Sequence, residues 1–128
     1  MELVMGLPER RYIKKIQDEI IPQVAAEINQ ITGKHIPLEV TWVGLDSNLD
    51  TIQNIDRTLA QLPQAFRDIC CDNLGIQAVQ EKVGKILLCQ SHEVSDVVLQ
   101  GETVAVINNY QHSYWDHSGI CRNLEADL

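Results

Sequence analysis

The pattern of apolar residues changes period near Gly84, and this switch constrains the fold more than any other feature of the chain. Before it, apolar side chains recur every three or four residues. Ile13, Ile16, Ile20, Val24, Ile28 and Ile31 make one such stripe, and Ile52, Ile55, Leu59, Leu62, Phe66 and Ile69 make a second. Each is the signature of an amphipathic helix. After Gly84 the apolar residues gather into short runs rich in Val, Ile and Leu at 85–90, 96–100 and 103–108, which predict strands.

Local signals bound these elements. Pro8 suits a first helical turn and Gly33 a left-handed C-cap, while Pro22 predicts a kink or break near residues 18–22. The stretch Ile36 to Val43 alternates around Leu38, Val40 and Trp42 and predicts a half-buried strand. Ser47, Asn48 and Asp50 are candidate N-caps for the second helix. That helix is either kinked or divided at Pro63 and is expected to end near Gly75, which would cap it. Residues 76–83 fit a short helix better than a strand, and Ile120, Leu124 and Leu128 suggest a last helix that Gly119 weakens. Gly101-Glu102 reads as a type II′ hairpin turn. The expected order is α-β-α-α-β-β-β-α: an α+β fold with helices on one face of a mostly antiparallel sheet, its last three strands a meander.

A chain of 128 residues is the size of one domain, so residues 1–128 are expected to fold as a unit with a sizeable core. Ten Lys and Arg face eighteen Asp and Glu, a net charge of −8 that makes a phosphate-binding basic surface hard to assemble and argues against nucleic acid as partner. No apolar run approaches the ~20 residues of a membrane-spanning helix, and Met1 to Met5 lack the positive charge of a signal peptide. A cytoplasmic protein with no membrane association is the expectation, with Cys70, Cys71, Cys89 and Cys121 as free thiols.

Catalytic signatures were sought among these residues. Phosphate-binding glycine loops and a G-x-S-x-G elbow are absent, and His92-Glu93-Val94-Ser95-Asp96 misses the helical zinc-protease motif at its fifth position. Cys89, His92, His112, His117 and Cys121 fall within the last forty residues. Cys89/His92 and His117/Cys121 are weak zinc candidates, since thiolate and imidazole are what tetrahedral zinc prefers but the spacing lacks paired regularity. Alternatively, Cys89 or Cys121 could be a nucleophile activated by His112 or His117 and oriented by Asp116. Against it, residues 85–128 hold two basic and six acidic side chains, which would raise a thiol pKa. No cofactor is expected.

The most distinctive stretch is Asn108 to His117, which gathers two of three tyrosines, one of two tryptophans and two of four histidines into ten residues. Tyr and Trp are favoured where proteins meet. Tyr110, His112, Tyr114, Trp115, Asp116 and His117 are therefore the candidate partner-binding residues. They suggest a small acidic interaction module of inhibitor, immunity or adaptor type, without catalysis, whose charge would steer it to a basic protein partner. The zinc-binding protein or Cys/His enzyme is the alternative, and a homo-oligomer built on an exposed helix stripe is a further one.

Overall fold

The computed structural model describes residues 6–42 and 48–128. The first helix, α1 (Leu7–Lys15), starts with proline in its first turn and runs without a break through a wide π turn (Ile16–Ile20) into α2 (Ile21–Thr32). The distortion expected at Pro22 takes this form: proline has no N–H to give the preceding turn, and the backbone widens by one residue just before it. The widening also keeps the stripe in line. Successive steps of four rotate an α-helical face by about 40° each, and an underwound turn offsets that drift between Ile16 and Ile20. Gly33 ends α2 at φ 72°, its N–H donating to the Asn29 carbonyl at 2.9 Å.

Strand β1 (Leu38–Val40) is shorter than the alternation suggested, though Trp42 still packs against the core; Val43 and the cap candidate Ser47 lie outside the described residues. Helix α3 (Leu49–Ile69) is capped by Asn48, whose Oδ1 accepts from Thr51 N at 2.8 Å, and continues through Pro63 as one helix. All six residues of its apolar stripe are buried. Helix α4 (Asn73–Lys82) follows, as 76–83 suggested, but Gly75 is not the cap of α3. It sits in the first turn of α4, donating its N–H to the capping Asp72 carboxylate at 2.8 Å.

Strands β2 (Lys85–Gln90), β3 (Asp96–Gln100) and β4 (Thr103–Asn108) complete a four-stranded sheet of order β1-β2-β4-β3. The expected meander is wrong in its pairing. Neighbours β1 and β2 are parallel, as are β2 and β4, and the only antiparallel pair in this sheet is the β3–β4 hairpin. Instead of turning back beside β2, the chain passes over the end of β4 through residues 91–95, with Ser91 N bonded to the Asn108 carbonyl at 3.0 Å. The reason lies in burial: Val104, Ala105 and Val106 are all buried, and a place between β2 and β3 covers that run and pairs its backbone on both edges, which an edge position would not. The hairpin turn is as expected, with Gly101 at φ 63°.

The helices lie on one face of the sheet. Leu38, Ile86, Leu88, Val97, Val104 and Val106 join the helical stripes in one core, closed by Ile120 and Leu124 of α5 (His117–Glu125). On the opposite face, half-buried Leu87, Cys89, Val98 and Ile107 stand outside that core. The mixed α+β architecture expected from the sequence is therefore present, with a mixed rather than mostly antiparallel sheet.

Candidate interaction surface

The segment joining β4 to α5 is held to the domain through its backbone by a row of side chains on α3. Asn54, Thr58 and Gln61 step by four and three, which puts them in line beside the apolar stripe. Asn54 Nδ2 donates to the Tyr110 carbonyl at 2.8 Å, Thr58 Oγ1 accepts from Trp115 N at 3.3 Å, and Gln61 Oε1 accepts from His117 N at 3.1 Å. From the sheet, Gln90 donates to Asn109 Oδ1 and accepts from Tyr110 N, both at 2.9 Å. Buried Asn108 exchanges hydrogen bonds of 3.0 Å with Ser95 and Ser113. None of Asn54, Thr58, Gln61 and Gln90 stands out in the sequence, and Asn108 does so only as the first residue of the aromatic stretch. The only signal of the three on α3 is a polar row at helical spacing flanking an apolar one, and a solvated face leaves the same trace.

These anchors divide the candidate residues. Tyr110 is a core residue, 1% exposed, with its hydroxyl donating to the Val106 carbonyl at 2.8 Å and its pKa driven far up by burial. It is lost as a contact residue. Trp115 is half-buried against the core, and its indole N–H donates to the Ile107 carbonyl at 3.0 Å. Asp116 caps α5, accepting from Gly119 N at 2.7 Å, while remaining exposed. His117 Nδ1 stands 3.5 Å from Asp68 Oδ2. That separation is long for a hydrogen bond and Nδ1 has no hydrogen-bond partner among the described residues, so the contact is an ion pair only when the imidazole is protonated.

His112 and Tyr114 face solvent, and Tyr114 is 45% exposed. The guanidinium of Arg57 lies 5.7 Å from its ring centroid, within cation–π range. Of the six candidates, His112, Tyr114 and Asp116 are thus the exposed ones, and Arg57 lies beside Tyr114.

The zinc candidates do not converge. Cys89 points from the sheet face opposite the helices and His92 lies exposed in the β2–β3 loop, whereas His117 and Cys121 are on α5, whose Ile120 and Leu124 enter the helical core. Among the described residues no three His, Cys, Asp or Glu side chains could hold a metal ion together. The thiols also suit nucleophilic chemistry poorly. Burial pushes Cys89 up despite a hydrogen bond from Thr41 that opposes it. Burial, the hydrogen bond to Glu125 and the charges of Glu125 and Asp68 push Cys121 up to about 11. The acid-rich surroundings act in the direction anticipated from the sequence. No family model, curated protein or solved structure matches this chain.

Proposed function

We propose that the protein is a small cytoplasmic interaction module of inhibitor, immunity or adaptor type, without catalysis, that engages a protein partner through Tyr114, His112, Asp116 and Arg57. The observation that carries this reading is the contrast within one loop: its backbone is fixed to α3 and β2 by side-chain hydrogen bonds, yet the Tyr114 ring stands half in water beside an arginine. A large ring presented on a rigid base loses little conformational entropy on binding, and Tyr and Arg are the residues that dominate binding hot spots. The net charge of −8 favours a partner with a basic surface and speeds the encounter at low salt.

The test is a photo-reactive residue placed at Tyr114 and, as a control, at exposed Gln30 of α2. A protein captured from position 114 alone, binding purified wild type and at least about tenfold more weakly to Tyr114→Ala, supports the reading. Association should also slow as salt is added. Equal capture from both positions, or a Tyr114→Ala protein that binds as wild type does, would overturn it.

A further inference from the structure

We infer that the cavity beside the π turn is a binding site for a small amino dicarboxylate, held by Arg11 and Lys15 through its carboxylates and by Asp56 through its ammonium. This cavity, about 320 Å³, is lined by Arg11, Tyr12, Lys15, Ile20 and Asp56, and lies at the small end of the range that ligand pockets occupy.

Arg11 and Lys15 are four apart and share a face of α1, and in an uninterrupted α-helix the next residue of that row would be Glu19. A carboxylate there would, together with Asp56, neutralise the two cations. The π turn adds one residue to the step, so Ile20 lines the cavity in its place and Glu19 is left exposed. An apolar wall and two cations that the row on α1 does not itself neutralise result from one extra residue in one turn, and π turns of this kind recur at functional sites.

Four of the ten basic residues of this acidic chain fall at positions 10–15. Lys14 is drawn aside to Asp18, with Nζ–Oδ2 at 3.0 Å, but neither Arg11 nor Lys15 makes an ion pair among the described residues. Among the residues that line the cavity two cations face one carboxylate, Asp56, so a ligand that neutralises the lining carries one net negative charge; Arg57, whose charge also reaches Tyr12, stands outside the lining. Asp56 is orientated by Tyr12, whose hydroxyl donates to its Oδ2 at 2.6 Å. Burial and that bond raise the Tyr12 pKa to about 12, so the hydroxyl keeps its proton and goes on donating to Oδ2, and among the described residues no hydrogen bond to the other oxygen of Asp56 competes with an ammonium. A ligand with two carboxylates and one ammonium on a short carbon chain meets each group in turn, with its methylenes on Ile20. Arg11 can take a carboxylate through two parallel hydrogen bonds, which fixes its orientation.

The probe is L-glutamate, titrated at millimolar concentrations into the full chain with acetate, methylammonium and inorganic phosphate as separate controls, and read by calorimetry and by NMR at Ile20 and Tyr12. Saturable shifts with glutamate that none of the controls reproduces are expected. Arg11→Gln and Asp56→Asn should each weaken binding by about tenfold or more, and Lys14→Gln should leave it unchanged. Arg11 is exposed, so its variant keeps the fold, which an unchanged melting curve verifies. Equal affinity for phosphate or acetate would reduce the cavity to a general anion patch and overturn the proposal, as would unaltered binding in Asp56→Asn or no shift with glutamate. None of these readings depends on the Tyr114 surface.

Discussion

Replacing Gly75 by alanine should destabilise the domain far more than its place in an exposed helical turn suggests. A Cβ on Gly75 would stand 1.8 Å from the carbonyl oxygen of Ile69 and 2.8 Å from its carbon, where side-chain carbons do not come nearer than about 3.0 Å. Either the last turn of α3 or the first turn of α4 must then move by more than an ångström. The α3 end is fixed by Phe66 and Ile69, both buried, and the α4 end by the bond from Gly75 N to Asp72. Losing that cap costs about 1 kcal/mol, and forcing the packed end of α3 outward costs about 1–3 kcal/mol more. The expected loss is therefore roughly 2–4 kcal/mol, or about 10 °C in Tm for a domain of this size. Urea unfolding of Gly75→Ala beside Asp72→Ala, which removes only the cap, separates the two contributions. Gly101→Ala is a second control, with nothing within 4 Å of its Cβ but a φ of 63°, and should cost about 1–2 kcal/mol. The same close approach to Ile69 makes Gly75→Asn no better than Gly75→Ala, whereas at Gly33, with φ 72°, asparagine should be tolerated better than alanine. A Gly75→Ala protein within about 0.5 kcal/mol of wild type would refute the reasoning.

Two further outcomes follow from the packing of the loop and of α5. Asn54→Ala strips the Tyr110 carbonyl of a buried donor and should cost about 1–3 kcal/mol by chemical denaturation, with faster amide exchange along residues 108–117. The Cys121 thiol, raised to about 11 from an ordinary 9, holds its proton more tightly folded than unfolded. Its contribution to stability is thus full below pH 9 and declines as pH rises from 9 to 11, so stability should fall more steeply over that window in wild type than in Cys121→Ser. Alkylation near pH 8 should accordingly modify exposed Cys71 well before Cys121.

Helix positions were legible because burial of a helix depends on its own spacing. The stripes at 13–31 and 52–69 identify the faces that the structure buries, and Pro22 identifies where the first helix is disturbed. Strand order was not legible by the same means, since alternation names the buried face of a strand and is silent on its neighbours. A signal was nonetheless present. The runs Ile86-Leu87-Leu88-Cys89 and Val104-Ala105-Val106-Ile107 are uninterrupted, whereas β3 is bracketed by Asp96 and Gln100. An interior place shields such a run from solvent on both edges, and these two strands are the interior pair. A meander would have placed β3 between them, with the most apolar strand at an edge, where its unpaired backbone would invite aggregation.

The aromatic loop shows a different limit. Its composition pointed to a place where function could reside, but Tyr110 and Tyr114 are chemically identical and four residues apart, and one is sealed in the core while the other faces water. What separates them is the polar row on α3. Asn54 draws in the backbone at Tyr110, Thr58 and Gln61 hold it again at Trp115 and His117, and residues 112–114 must arch outward between those points. The same helix supplies Arg57 to the ring that is left outside and Asp56 to Tyr12 on α1, so adjacent residues of one turn serve the loop and the π-turn cavity. Three tyrosines in this chain thus have their environments set by residues 54–57 of α3, a helix recognisable from the outset only by its apolar side.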